Sequence, residues 1–322
     1  MTRAIVTGGA GFIGSNLAER LVASGLEVVV YDNFSTGRPQ FVETLRGHRR
    51  ARIVTGDVLD APALREAMSG CDVVFHLAAN ADVRFGLDDP SRDFRQNTEA
   101  TFTVLEAMRA TGARRIVFSS TGSIYGEPEV FPTPEDCPFP VQTSLYGASK
   151  LAGEGLIQAY CEGYDFAGVI FRFVSLLGER YTHGHLFDFY AALRRDPTSL
   201  TVLGDGRQRK SYLYVGDCVD ALTMLAERRR DPGVAVYNLG TDEVTVVDES
   251  VAVVCEHLGI RPAITHTGGE RGWVGDSPLI HLDCAKLRAL GWRPTLTIRQ
   301  AVLRTLAWFD RNPWVFEDRR AA

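Results

Sequence analysis

Apolar positions change period twice within the first thirty residues. Ala4, Ile5 and Val6 run consecutively, as in a strand buried on both faces. Ile13, Leu17, Leu21 and Val22 then share one stripe of a helix that Gly25 stops, and a β-branched run from Leu26 to Tyr31 closes at Asp32. The alternation continues. A helix to Leu45, a strand at 52–54, a helix beginning near Ala61 and a buried strand over 73–79 are predicted in turn. A helix over 98–111 follows, with Val104, Leu105 and Met108 on one face and Gly112 at its end, before a strand from 115 to 118. Strands alternating with helices predict an α/β chain whose doubly wound parallel sheet is covered on both faces.

The second half is less regular. Prolines punctuate 127–143, which predicts an irregular loop, and a helix then carries Tyr146 to Lys150. A helix over 218–227 precedes a strand at 235–240 expected to rejoin the main sheet. Residues 245–258 and 297–309 read as amphipathic helices, with Trp292 and Trp308 as packing residues. A strand that rejoins the sheet so late implies interleaved rather than serial units.

The first connection carries candidate chemistry. Gly8, Gly11 and Gly14 stand in G-G-A-G-F-I-G between the first strand and the helix that includes Phe12 and Ile13. Glycines alone could be a tight connection, but between a buried strand and an apolar-striped helix they suit a dinucleotide pyrophosphate. The turn can be close, and the helix start offers free N–H groups. Asp32, closing the second strand, can accept hydrogen bonds from a ribose, which favours NAD over a 2′-phosphorylated cofactor. Asn33, Ser35, Thr36 and Gly37 form a polar turn at the adenosine end. Asp57, beside Val58, could meet the adenine amino group or cap the helix near Ala61. Leu77, Ala78 and Ala79 end their strand in small residues against which a cofactor can lie.

Hydroxyl groups cluster at another strand end, Ser119-Ser120-Thr121-Gly122-Ser123, where a substrate would sit. Tyr146 and Lys150, four apart, share a helix face, so an ammonium can favour the phenolate and make Tyr146 a usable base. Asn97 is assigned a structural role, as a cap or a backbone anchor.

Composition narrows the field. Of 322 residues, 45% are hydrophobic and 23% charged, and the net charge of −5 gives no reason to bind nucleic acid or an anionic membrane. The basic run 46–52 reads as solvated surface. Six scattered cysteines without a Cys-x-x-Cys pair argue against a zinc cage or a disulfide framework, and no metal is expected. A strand opens almost at the N-terminus and no apolar run reaches spanning length, so a cytoplasmic enzyme without a secretory signal is the expectation.

The glycine turn, the Leu77-Ala78-Ala79 strand end, Ser119-Ser120-Thr121 and Tyr-x-x-x-Lys in this order resemble the extended short-chain dehydrogenase/reductase family, specifically its nucleotide-sugar epimerases and dehydratases. Segments 172–180 and 203–217, with Gly275-Asp276, extend the resemblance over nearly the whole chain. It implies a Rossmann domain over 1–178 plus 211–245, and a nucleotide-sugar lobe over 179–210 plus 246–322. It implies that Thr121 binds the sugar's 4-oxygen beside Gly122 and Ser123, where dehydratases carry an acidic pair and decarboxylases a glutamate. Lacking that carboxyl group, the chain looks like a 4-epimerase. By resemblance, Tyr146 takes the proton of the 4-hydroxyl while hydride passes to NAD. Lys150 stabilises the phenolate and holds the nicotinamide ribose, and the 4-keto sugar turns to recover the hydride on its other face. NAD would stay tightly bound, because no external redox partner is consumed.

The same resemblance places Ser175 near the sugar or first phosphate, 186–189 with Val202 and Leu203 around the base, and Gln208, Lys210 and Arg271 at the phosphates. Lys210 stands where the family usually has arginine, and Arg271 lies further from Gly275-Asp276 than in familiar epimerases. Arg84 resembles a residue of UDP-glucuronate epimerases that could meet a C6 carboxylate. The second arginine of those enzymes is replaced by Thr182-His183-Gly184, so glucose/galactose and glucuronate/galacturonate both stand. His183 and His185 receive no chemistry. A homodimer through helices near 99–110 and 149–162 is expected. The alternatives are a nucleotide-sugar reductase, dehydrogenase or dehydratase, and a non-catalytic NAD-binding regulator.

Overall fold

The computed structural model describes residues 1–81, 85–139 and 141–317. Seven strands form the main sheet: β1 (Arg3–Thr7), β2 (Glu27–Asp32), β3 (Ala51–Thr55), β4 (Val73–His76), β5 (Arg115–Thr121), β6 (Ala167–Phe173) and β7 (Gly233–Leu239). Their spatial order is β7-β6-β5-β4-β1-β2-β3, with every neighbouring pair parallel. The order reverses between β1 and β4. At such a point the connections leave to opposite faces and open a crevice beyond the strands' carboxyl ends.

Period-two geometry explains why consecutive apolar residues were needed. Ala4, Val6, Val28, Val30, Phe75 and Val117 face one core, with Leu17 and Leu21 of α1 (Phe12–Ala23) and Leu222 of the helix Val215–Arg228. Ile5, Val29, Val74, Ile116 and Phe118 face the other, with Leu64, Val104, Leu105 and Ile157 from three further helices. Each fully buried aliphatic side chain contributes about 1.5–3 kcal/mol relative to exposure. A polar residue in the middle of β1 would therefore damage one layer whichever face it took.

A third core gathers Leu177, Leu186, Tyr190, Val202, Val251 and Phe309, and includes Trp308. Trp292 belongs instead to the first core, its indole N–H donating to the carbonyl of Asp217 at 3.0 Å.

Several boundaries differ from the sequence reading. β4 ends at His76, because the chain turns away where the backbone of Leu77 and Ala78 meets Gly8. The element at Pro39–Leu45 is a 3-10 helix. A π-helical turn, Phe94–Glu99, precedes the helix Ala100–Thr111, so Asn97 lies inside helical backbone rather than at a cap. Residues Thr245–Val246 form a short strand before the helix Val247–Leu258. The predicted strand at 235–240 does rejoin the sheet, as β7 beside β6.

Candidate active site

The glycine turn follows from close backbone approach. Gly8 has φ +68°, and a Cβ there would stand 2.7 Å from the amide nitrogen of Ala78. At Gly14 a Cβ would lie 2.1 Å from the carbonyl oxygen of Gly8, so the first turn of α1 sits directly on the loop. The N-terminal amides of α1 are thereby presented at the crevice, the arrangement suited to a pyrophosphate. Beside them, the Asp32 carboxylate accepts from the amides of Ala10 at 2.9 Å and Phe34 at 2.7 Å. Burial raises its pKa and those two amides oppose the rise. One amide on each oxygen leaves lone pairs for a ribose. The residues present fit a dinucleotide.

At the adenosine end, Asn33 donates to Asp57 at 2.9 Å and accepts from the amide of Ser35 at 3.0 Å. Capping falls to another residue than Asp57: Asp60 accepts from the amide of Ala63 at 3.2 Å, whereas Asp57 takes the amide of Leu59 at 2.9 Å. Asp57 lies too early in the loop to reach the helix start. Val58 is buried, while Leu77, Ala78 and Ala79 are partly exposed beside the turn. Ile13 packs against the first core. Phe12 meets Tyr181 edge to face at 5.5 Å and touches the first and third cores together.

Beneath the turn lies a polar chain that sequence reasoning missed, because His76 ends a run of apolar residues. Thr7 Oγ1 is 2.8 Å from His76 Nδ1, and Nε2 is 3.2 Å from Thr101 Oγ1. Thr101 spends its hydroxyl proton on the carbonyl of Asn97 at 2.6 Å. It can therefore only accept from Nε2–H, which leaves Nδ1 to accept from Thr7. Burial, reinforced by the Lys150 ammonium, pushes His76 down to about 3, so the imidazole is neutral. Asn97 anchors backbone as expected: its Oδ1 accepts from the amide of Asn80 at 2.9 Å, and its Nδ2 donates to Ser149 at 2.9 Å.

Thr121 ends β5, and Tyr146 stands in the first turn of the helix Leu145–Tyr164, which Ser144 caps through the amide of Gly147 at 3.0 Å. The fold brings the Thr121 hydroxyl close enough to Tyr146 to favour its ionised form. Thr121 also contacts Ser123, 3.2 Å to the hydroxyl and 3.1 Å from the amide, next to buried Gly122. Ser119 donates to the carbonyl of His76 at 3.2 Å. Burial pushes Tyr146 up to about 12, with the Thr121 hydroxyl opposing and Asp93 adding to the rise. Lys150, 2% exposed, places its ammonium 4.3 Å from the Phe118 ring centroid. Burial draws it down to about 7, against a countering pull from Glu154. The expected easy phenolate is thus not a property of the chain alone: desolvation outweighs the influence of Thr121.

Part of the second group of predicted residues stands together: a Cβ at Gly204 would lie against Gln208 and 3.4 Å from the backbone of Arg271, and one at Gly272 would lie 3.5 Å from Leu203. Ser175 is exposed at the start of the strand Ser175–Leu177, and Leu203 is exposed next to Val202, whose side chain faces the third core. Gln208, 4% exposed, donates to the carbonyl of Leu203 at 3.2 Å and has an unpartnered buried Oε1. Lys210 is buried and committed within the protein, 2.6 Å from Asp276 and bonded to the carbonyl of Ser277. Arg271 pairs with Glu127 at the surface. His185 bonds Tyr212 at 3.0 Å and is held neutral, pushed to about 3 by burial and by Lys210. Arg84 lies outside the described residues.

A further constellation joins the site from behind. Glu154, one turn past Lys150, is fully buried and pairs with Arg172 of β6 at 2.8 Å. Its only sequence signal is a carboxylate on the helix face that carries Lys150, followed by Ile157 and Cys161.

Residues 4–240 match the model of the NAD dependent epimerase/dehydratase family. A UDP-glucose 4-epimerase of Mycolicibacterium smegmatis is 33% identical over 318 residues, covering 95% of this chain and 98% of its own. The crystal structure of a UDP-galactose 4-epimerase is 40% identical with a TM-score of 0.86, across 97% of this chain and 100% of that one. That of Thermus thermophilus UDP-glucose 4-epimerase complexed with NAD is 32% identical with a TM-score of 0.84, across 96% and 99%.

Proposed function

The chain belongs to the NAD-dependent epimerase/dehydratase family, and on that premise we propose that it is a 4-epimerase of a UDP-sugar. The observation that carries the reading is the placing of Thr121 at the end of β5 where it acts on Tyr146, with Lys150 one helical turn away and no carboxyl group in Gly122-Ser123. A dehydratase or decarboxylase needs an acidic group near that point to move a second proton. A 4-epimerase needs only one proton acceptor at the 4-oxygen and a reversible hydride store.

NAD, when bound, supplies the hydride acceptor and donor and, oxidised, a positive charge. Gly8, Gly11, Gly14 and the start of α1 would hold its pyrophosphate, and Asp32 its adenosine ribose. Thr121 fixes the direction of the Tyr146 hydroxyl, so that the phenol oxygen meets the sugar's 4-hydroxyl. Tyr146 takes that proton and later gives it back. Lys150, desolvated against Phe118, lends positive charge to the developing phenolate. Since the same tyrosine serves both directions, no proton leaves the site in a full cycle.

Residues 179–210 and 246–317 form the lobe that receives the UDP moiety, with Gln208, Leu203 and Arg271 as contacts. The buried Lys210–Asp276 pair shapes that surface from below. The cofactor stays bound between turnovers. A homodimer is part of this reading, supported by exposed Phe94 and Phe102 along the helical segments where relatives of this class would pair. A cytoplasmic location fits a reaction on nucleotide sugars, and among the described residues no helix is long and apolar enough to cross a membrane.

The test is incubation of the purified protein, with no added cofactor, with UDP-glucose, UDP-galactose, UDP-glucuronate and UDP-galacturonate, and product identification by NMR. Interconversion of one pair at C4 is expected. Absence of both bound NAD and any interconversion would overturn the proposal.

A further inference from the structure

Behind the Tyr146–Lys150 face, the Glu154 carboxylate has no access to solvent. One oxygen accepts from the Ser120 hydroxyl and from Arg172 Nε at 3.1 Å, and the other from Arg172 Nη2 at 2.8 Å. The guanidinium's remaining arm donates to the Tyr125 hydroxyl and to the carbonyl of Glu135, both at 2.8 Å. Every strong donor around the carboxylate is therefore fixed from β5 or β6, and the carboxylate cannot turn away from its own helix. Residues four apart share a helix face, which puts this locked charge on the side of Lys150.

A buried ion pair is weak evidence for stability alone, since apolar replacements of the same volume are commonly as stable. Its placement matters more. Lys150 has been removed from water onto the Phe118 ring, and an ammonium so placed tends to lose its proton. Among the described residues, the groups facing it or its tyrosine neighbour are Tyr146 and Glu154 from its own helix, neutral His76 from β4, Arg172 from β6 behind Glu154, and Asp93 toward Tyr146. Glu154 is the anion in this set whose pull acts on the lysine itself.

We propose that Glu154 is a positioning residue for the reaction: held by Arg172 and Ser120, it supplies the buried negative charge that keeps Lys150 an ammonium beside Tyr146. Arg172 serves this role by holding the carboxylate ionised and in place. The function of Lys150 as the phenolate's partner rests on the epimerase reading. The charge relation between Glu154 and Lys150 does not.

The chain offers a direct test, because it contains three lysines, Lys150, Lys210 and Lys286. Holoenzyme labelled with [13Cε]lysine gives three NMR signals, assigned with Lys210→Arg and Lys286→Arg. In Glu154→Gln the deprotonation midpoint of Lys150 is expected to fall by about one pH unit or more, and Glu154→Asp should recover most of the shift. If Glu154→Gln fails to fold, Glu154→Met/Arg172→Met removes both charges in apolar form and should show a smaller fall in the same direction. An unchanged Lys150 midpoint in the folded variant overturns the proposal. The alkaline limb of kcat should move with the midpoint. Where no UDP-sugar turns over at all, the NMR titration still decides the role of Glu154, so the two ideas fail separately.

Discussion

Thr7 Oγ1 and His76 Nδ1 lie 2.8 Å apart, inside the sheet and directly below the glycine turn. Thr7 is the last residue of β1 and His76 the last of β4, so this bond ties together the two strands between which the sheet order reverses. The floor of the crevice is thus pinned by side chains as well as by the backbone ladder.

That pin has a pH signature. His76 and His185 are both pushed to about 3, against an unperturbed 6.5. Between those values the unfolded chain binds more protons than the folded one. Stability is therefore fully present above about pH 6.5 and is lost as pH falls toward 3, by up to about 1.4 kcal/mol per pH unit for each imidazole. Urea unfolding at pH 7, 6 and 5 should show the decline. His76→Ala should cost about 2–4 kcal/mol at pH 7, by opening a cavity and taking away the acceptor of the Thr7 hydroxyl, and should flatten the slope.

Tyr146→Phe keeps the shape of the helix face and removes the proton acceptor. Turnover should fall by at least about a hundredfold while bound NAD, read by its absorbance after denaturation, is unchanged. Near-normal turnover would remove Tyr146 from the chemistry.

Thr121→Val deletes the hydroxyl that opposes the rise of Tyr146. The phenol pKa should climb further, so the acid limb of the kcat profile should move to higher pH. At pH 7 kcat should fall about ten- to a hundredfold with a smaller change in KM. A loss confined to KM would make Thr121 a binding group alone.

Gly14→Ala inserts a methyl where a Cβ would stand 2.1 Å from the Gly8 carbonyl oxygen. Backbone cannot move aside cheaply, and a cost of about 1–3 kcal/mol is expected. Melting temperature should drop, and the purified protein should lose most of its NAD.

Lys210→Met leaves Asp276 buried without its cation, at a cost of about 3–5 kcal/mol. Lys210→Met/Asp276→Leu should recover much of it, as a thermal melt of both variants will show. Equal losses in the two would mean that the pair contributes packing rather than charge balance.

The parallel sheet was legible because its residues are buried on both faces, which leaves consecutive apolar residues in the chain. The Gly8–Gly14 turn was legible because close backbone approach admits only glycine. Tyr146 and Lys150 could be paired because helix geometry joins residues four apart. Other features require the fold. Arg172 and Glu154 are eighteen positions apart on different elements, and β6 must cross behind the helix before they meet. His76 hid in a strand of apolar residues, where its neutral imidazole behaves as core. Asp57 and Asp60 are both plausible caps by composition, and only the loop's path separates them. Lys210 was placed at the phosphates by resemblance, and its burial against Asp276 follows from a contact with residues far along the chain.

Phe12, the first residue of the helix that faces the pyrophosphate site, stands against Tyr181 and so serves as a wall of the third core. Four residues on, Asn16 holds the carbonyl of Glu179 at 3.0 Å, and Arg180 pairs with Glu19 at 2.6 Å. The helix start that would grip the cofactor is thereby clamped to the segment leading into the sugar lobe. A cofactor that steadies α1 must then also steady Glu179 to Tyr181, so stripping the cofactor should speed amide exchange far from the cradle. In mechanical terms the dinucleotide acts as a wedge between the two halves, and an apo enzyme would be slack in the region that has to grasp the sugar.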